Sequence, residues 1–303
     1  MISSPVLRAG RDADAAGFIA LMSACWLEYP GCVVDIDGEA PELHALASYF
    51  AKCGGTLWAA EQNGQVVGMI GTRPLADGAW ELCKVYAYPD QRGTGLAQAL
   101  VDAADAHARA HGATEMKLWS DTRFDRAHRF YEKLGYVRAG AIRVLDDLSH
   151  SLEFGYARPL TGSVVRSLDA AAAASAVPGL RRLGLGMDAV WRAVATDVAL
   201  GKCAMLVVWI DGAIGGAAVL DFPVPHRAEV RILQTQAGSD AGAALLHEAG
   251  RRTSALLTAR VRMGAAESLY RAAGWCEAGR VPGHDRAEDD TPQDVIWFYR
   301  AAA

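Results

Sequence analysis

Nowhere in its 303 residues does the sequence contain an uninterrupted apolar run of the ~18 residues or more that a membrane-spanning helix requires. A membrane partner is therefore not expected. The six cysteines, Cys25, Cys32, Cys53, Cys83, Cys203 and Cys276, are scattered, without CxxC pairs or the density of a disulfide scaffold. Buried free thiols are the expectation. No His/Cys/Asp cluster stands at ligand spacing, so no metal is expected. The formal net charge is −5 without a basic stripe, which argues against nucleic acid as a partner, because phosphate binding needs clustered Lys and Arg. The amino-terminal MISSPVLRAGRDADAAG lacks a basic segment followed by an apolar one, so nothing in it directs secretion and a cytoplasmic location is expected. What is present is an ordinary globular composition, 51% apolar and 21% charged, in a chain long enough for two cores.

In the first half, VLRAG reads as a strand, DAAGFIALMSACW and PELHALASYFAKCG as helices, and TLWAAEQ and QVVGMIGTRP as strands joined by the turn Asn63-Gly64. WELCKVYAYP follows as a strand. A helix then starts at Leu96, with Leu96, Leu100, Ala104 and Ala108 on one face and Gly112 at its end. TEMKLWS reads as a strand, RAHRFYEKLG as a helix, and YVRAGAIRVL and SLEFGYARPL as closing strands. After Pro159 and Thr161–Ser163 the rhythm restarts. MLVVWIDGAIGGAAVLDFP repeats the strand–turn–strand of TLWAAEQNGQVVGMIGTRP, AEVRILQTQ repeats WELCKVYAY, and AAESLYRAAGW repeats RAHRFYEKLGY. The chain thus reads as an α+β tandem, 1–160 and 161–303, with a diverged second copy.

Between a strand and a helix stands DQRGTGLAQAL, residues 90–100. Gly93 and Gly95 there allow a tight turn, and the unpaired amides and positive dipole end of the following helix suit an anion. Taken alone, the loop reads rather as an ordinary tight strand-to-helix turn. Arg92 to Ala97 resembles the R/Q-x-x-G-x-G/A loop of the GNAT acetyltransferases, and Ala127 to Tyr136, AHRFYEKLGY, resembles their later A-x-x-x-Y-x-x-x-G-[FY] signature. The resemblance covers Val6 to Leu160 well and the remainder weakly. It implies two tandem GNAT-like domains, each a mixed, mostly antiparallel sheet flanked by helices, with acetyl-CoA as co-substrate. It further implies that Gln91, Arg92, Gly93, Thr94, Gly95, Leu96 and Ala97 hold the pyrophosphate, and that Val85, Tyr86 and Ala87 pair with the pantetheine arm. Many members carry an Asn three residues before the Ala of the second signature; this chain has Phe124, with Asp121 and Thr122 nearby.

Acetyl transfer to an amine needs a neutral amine, a polarised carbonyl and a proton for the departing thiolate. The resemblance makes Tyr131 the acid, against the alternative of a core aromatic beside Phe130, and Glu81 the base, against pairing with Lys84 or Arg73. Cys83 and the histidines His107, His111 and His128 read as structural. The resemblance further implies that Trp26–Pro30, the segment DIDGEAPE and Trp119–Arg123 line the acceptor cleft. Glu28, Asp35, Asp37 and Glu39 there either attract a cationic amine or form a solvated loop, and Arg123 could meet a carboxylate. The expected activity is N-acetylation of a small primary amine in the first domain. A non-catalytic acyl-CoA sensor and an enzyme acting on protein amines are the alternatives. The second copy echoes Glu81 with Glu229 and Tyr131 with Tyr270, but its TQAGSDAGAALL loop lacks the Arg and the paired glycines, so one coenzyme per chain is expected. A duplicated chain of this kind could be a monomer or a homodimer.

Overall fold

The computed structural model describes residues 4–185, 187–236, 240–253, 256–262, 265–286 and 290–301. Contacts divide it into two compact units: residues 1–128 with 138–161, and 129–137 with 162–303. No described helix is long and apolar enough to cross a membrane.

The first unit runs β1 (Val6–Ala9), α1 (Ala15–Trp26), α2 (Ile36–Glu39), α3 (Leu46–Lys52), β2 (Thr56–Gln62), β3 (Gln65–Pro74), β4 (Trp80–Ala87), α4 (Leu96–Ala110), β5 (Glu115–Asp121), α5 (Asp125–Lys133), β6 (Val137–Arg138), β7 (Arg143–Val144) and β8 (Leu152–Pro159). Its eight-stranded sheet has the order β1-β2-β3-β4-β5-β8-β6, with β7 on β8. Every described pairing is antiparallel except β4 with β5, which needs a crossover and receives it as α4. The β2–β3 hairpin turns at Asn63 and Gly64, both at positive φ, as the sequence predicts. A core of Phe18, Leu21, Met22, Leu43, Leu46, Phe50, Leu57 and Met69 joins α1 and α3 to this sheet. Gly71 lies under Phe50, whose ring leaves no room for a Cβ.

Two expectations are corrected here. PELHALASYFAKCG is not one helix but a 3₁₀ turn, Pro41–Ala45, followed by α3, because Ala45 adopts a non-helical backbone (φ −145, ψ 51). YVRAGAIRVL is not one strand: Gly140 at φ +76 breaks it, leaving the two short pieces β6 and β7.

The second unit runs β9 (Ser163–Leu168), α6 (Ala170–Arg182), α7 (Asp188–Ala199), β10 (Cys203–Ile210), β11 (Ala213–Val224), β12 (Arg227–Thr235), α8 (Ala241–Arg252), β13 (Leu256–Arg262), α9 (Ala265–Ala272), β14 (Cys276–Arg286) and β15 (Pro292–Arg300). Its seven-stranded sheet, β14-β15-β13-β12-β11-β10-β9, repeats the first order, and β12 with β13 is again the parallel pair. Alternation along β10 builds two cores: Met205, Val207 and Trp209 face one, Leu206 and Val208 the other. The Trp209 indole donates to the Gly135 carbonyl at 2.8 Å, which ties the segment 129–137 into this unit. The chain is thus an α+β tandem of two sheets, each mixed, mostly antiparallel and flanked by helices.

Candidate functional site

The strand that the sequence assigns to the pantetheine arm is irregular in a way that suits such a ligand. Lys84 has φ +52, and the register on β3 slips, so that Tyr86 faces Met69 while Cys83 faces Gly71. This is a β-bulge, which bends the strand that carries it. β4 pairs with β5 only over Trp80–Leu82, opposite Met116–Leu118. Beyond Leu82 the two strands no longer pair, and Val85, Tyr86 and Ala87 present a free backbone edge on that side among the described pairings. An extended chain with amide groups can add to such an edge. Two side chains of α1 hold this stretch. Trp26 Nε1 donates to the Tyr86 hydroxyl at 2.8 Å, and the Cys25 thiol donates to the Ala87 carbonyl at 3.5 Å. Burial pushes the Cys25 thiol up to about 11, so it stays protonated and a donor at neutral pH.

The loop that follows is pinned locally. Pro89–Gln91 form a 3₁₀ turn, the Thr94 hydroxyl donates to the Gln91 carbonyl at 2.7 Å, and α4 begins at Leu96. Gly93 and Gly95 have φ of +76 and +90, and a Cβ on either would meet no atom within 4 Å. Their positive φ suits glycine, and open space faces their backbone. Among the described residues neither amide donates to a partner. Free amides at the start of a fifteen-residue helix are what a phosphate would use, and the residues present fit a coenzyme A pyrophosphate. Two of the predicted residues are placed differently from their neighbours. The Gln91 side chain is buried and donates to Gln62 Oε1 at 3.1 Å, and Leu96 is buried, which leaves only their backbones to the loop. Arg92 is on the surface of the loop, paired with Glu28.

Glu81 is buried on β4, opposite Arg73 on β3. Arg73 Nε and Nη2 reach Glu81 Oε2 at 2.9 and 2.7 Å, and Arg73 Nη1 donates to the Tyr49 hydroxyl at 2.8 Å. Lys84 instead pairs with Glu42 at 2.9 Å. Neighbouring Cys83 is pushed up to about 12 by burial, which keeps its thiol neutral and makes it a packing residue. Tyr131 is buried with its ring 5.5 Å from Phe130 and 5.9 Å from Tyr136, in the segment that clusters with the second unit. It is not among the residues that the first unit brings together at the loop.

The polar residues expected around the acceptor are occupied with one another. Arg123 donates through its backbone and Nε to Asp121 Oδ1 at 2.8 and 2.9 Å, through Nη2 to Asp121 Oδ2, and also to Ser151 Oγ at 3.0 Å. It clamps a turn. Asp35 accepts from the Gly38 amide, Asp37 contacts His44, and Glu39 accepts from the Leu148 amide. Phe124, which stands where many relatives have Asn, packs its ring 4.6 Å from Tyr29. The histidines are structural: His111 Nδ1 is 2.8 Å from the His107 carbonyl at the end of α4, and His128 Nε2 is 2.9 Å from the Asp121 carbonyl inside the core. Burial holds both His107 and His128 below the usual imidazole value. Cys25 and Cys203 are buried, Cys276 is exposed, and all six thiols are free. No group of three or more His, Cys, Asp and Glu side chains among the described residues could hold a metal ion.

What sequence reading missed is Glu28 as the partner of Arg92, and Tyr49 as the further partner of the Arg73 that Glu81 meets. The spacing carries no signal for the first, since 64 residues separate the pair.

Residues 18–136 match the model of the acetyltransferase (GNAT) family. Human N-acetyltransferase 8B is 30% identical over 120 residues, covering 38% of this chain and 51% of that protein. The mycothiol acetyltransferase of Thermobispora bispora is 39% identical over 85 residues, covering 26% of this chain and 29% of that one. The chain therefore spans about half the length of the first relative and under a third of the second. A GNAT-family acetyltransferase structure from Staphylococcus aureus Mu50 aligns over 52% of the chain and all of its own length, at 19% identity and a TM-score of 0.46. The match to the acetyltransferase (GNAT) family lies in residues 18–136, which hold the glycine loop at the head of α4 and the free edge of β4.

Proposed function

We propose that residues 1–160 form an acetyl-CoA-dependent N-acetyltransferase that acts on a primary amine of a small molecule by direct transfer. The reading rests chiefly on one observation, the sequence of free β4 edge, positive-φ glycines and unpartnered amides at the start of α4. Residues Gln91 to Ala97 would hold the pyrophosphate through their backbone and Arg92, and Val85 to Ala87 the pantetheine arm. When bound, acetyl-CoA supplies an acetyl group already activated as a thioester. The chain's part is to position it and move protons. As the amine nitrogen bonds to the acetyl carbon and the carbon–sulfur bond breaks, Tyr131 gives its phenolic proton to the departing sulfur, and Glu81 accepts the proton that the amine sheds, through water. Both roles come from the family resemblance. A small acceptor is supported by the similarity to a mycothiol acetyltransferase.

Calorimetric titration with acetyl-CoA, followed by thiol release across a panel of small amines, tests this reading. One site per chain and turnover with at least one amine are expected. Binding without turnover on any amine would favour an acyl-CoA sensor, and turnover on peptide amines alone would move the acceptor to proteins. The single site follows from the second unit's loop. Residues 237–239 of that loop lie outside the described residues, but Asp240 stands at the head of α8, where a negative charge opposes an incoming phosphate.

Glu81 is tested by substitution. Glu81→Gln keeps the shape and an acceptor for Arg73 but removes the base. Activity is expected to fall about 10²-fold or more near neutrality and to recover in part as pH rises and the free amine becomes abundant. A profile parallel to the parent's would assign Glu81 to the Arg73–Tyr49 pair alone.

A further inference from the structure

We infer that Glu28 is a displaceable counter-ion for Arg92, so that the loop's affinity for coenzyme A is set by an exchange of carboxylate for phosphate. This builds on the proposed coenzyme site. Glu28 lies in the turn that follows α1, and its Oε1 accepts from Arg92 Nη2. Its other oxygen, Oε2, is 3.4 Å from Arg126 Nη1 at the start of α5. Each carboxylate oxygen thus faces a guanidinium. The bond from Arg92, followed by the charge of Arg92 and Arg126, holds the Glu28 carboxyl below the ordinary range, so it is ionised at neutral pH.

A phosphate that approaches the amides of Gly93 and Gly95 meets an Arg92 whose charge is already neutralised, with a like-charged carboxylate on it. Both anions cannot keep the same guanidinium without repulsion. The existing pair is exposed enough to yield: the side chains of Arg92 and Glu28 are 35% and 28% accessible, and ion pairs at such surfaces are worth no more than about a fivefold factor. Glu28 also has somewhere to go. Arg126, 57% accessible, already stands beside its second oxygen, so the carboxylate can be handed over without losing a cationic partner. The exchange leaves Arg92 on phosphate and Glu28 on Arg126. A small anion that touches the loop alone must displace Glu28 with nothing else gained. A coenzyme that also fills the β4 edge has further contacts to offset the displacement, so the arrangement favours the complete coenzyme over free phosphate.

The test is the dissociation constant of acetyl-CoA, by calorimetry at fixed moderate salt, for the parent, Glu28→Gln, Arg92→Gln and the double variant, each checked for an unchanged melting profile. Glu28→Gln is expected to bind about three- to fivefold more tightly than the parent, and Arg92→Gln more weakly. In the Arg92→Gln background the Glu28 substitution is expected to change affinity by less than about 1.5-fold, because there is no guanidinium left to compete for. Unchanged or weaker binding by Glu28→Gln overturns the inference while leaving the coenzyme site intact. So does a gain that persists undiminished without Arg92, since that would be general repulsion and not competition. A parent that binds no acetyl-CoA overturns the proposed function, and this inference with it.

Discussion

Replacing Gly95 by valine is expected to raise the dissociation constant of acetyl-CoA by about 100-fold or more, the scale of losing two or three charge-assisted hydrogen bonds. Gly95 caps α4 at φ +90, a conformation that a β-branched residue adopts only with strain of about 1–3 kcal/mol. A Cβ there touches nothing in the protein, so the substitution does not disturb the core. It takes up open space beside the loop, which a pyrophosphate approaching the backbone would need. Gly112 offers the matched control. It lies just past the other end of the same helix, at φ +81, and a Cβ on it also meets nothing within 4 Å. Gly112→Val should lose comparable stability in thermal melting and keep the parent's affinity. If Gly95→Val and Gly112→Val bind acetyl-CoA equally well, the loop does not hold the coenzyme.

Tyr131→Phe is expected to lower turnover by about 10²–10⁴-fold, the range of general acid–base groups, while acetyl-CoA affinity changes by less than about twofold. The substitution keeps the ring, and with it the contacts to Phe130 and Tyr136, and removes only the hydroxyl. The corresponding tyrosine of the second copy, Tyr270, separates chemistry from packing. Tyr270 is buried, stacks on Phe298 at 5.5 Å and meets Trp275 edge-on at 5.1 Å, and burial raises its hydroxyl well above the ordinary tyrosine value. Tyr270→Phe should therefore leave turnover as it is. Normal kcat in Tyr131→Phe would make Tyr131 a core aromatic like Tyr270 and leave the leaving thiolate to find its proton from solvent.

The sequence by itself determined whatever depends on a few neighbouring residues. The boundaries of β2 and β3 follow from their apolar runs and from the Asn63-Gly64 turn between them, and the start of α4 from its periodic apolar face and the glycines before it. The duplication was legible because the same local pattern occurs twice, and the two sheets repeat one strand order. One element was legible but unread: α7 buries Trp191, Val194 and Ala195, a helical spacing present in DAVWRAVATDVA. Tertiary structure decided what depends on register and on residues far apart in the chain. Arg73 meets Glu81 because β3 and β4 pair antiparallel in a register that sets them side by side, whereas Lys84, three residues along, turns to Glu42 at the bulge. The free edge of Val85 to Ala87 exists because β5 stops pairing after Leu118, a divergence that no residue of WELCKVYAY announces. Glu28 reaches Arg92 only once α1 and the glycine loop are folded onto the same sheet, since electrostatic partners 64 residues apart are chosen by packing geometry and leave no periodic trace in the sequence.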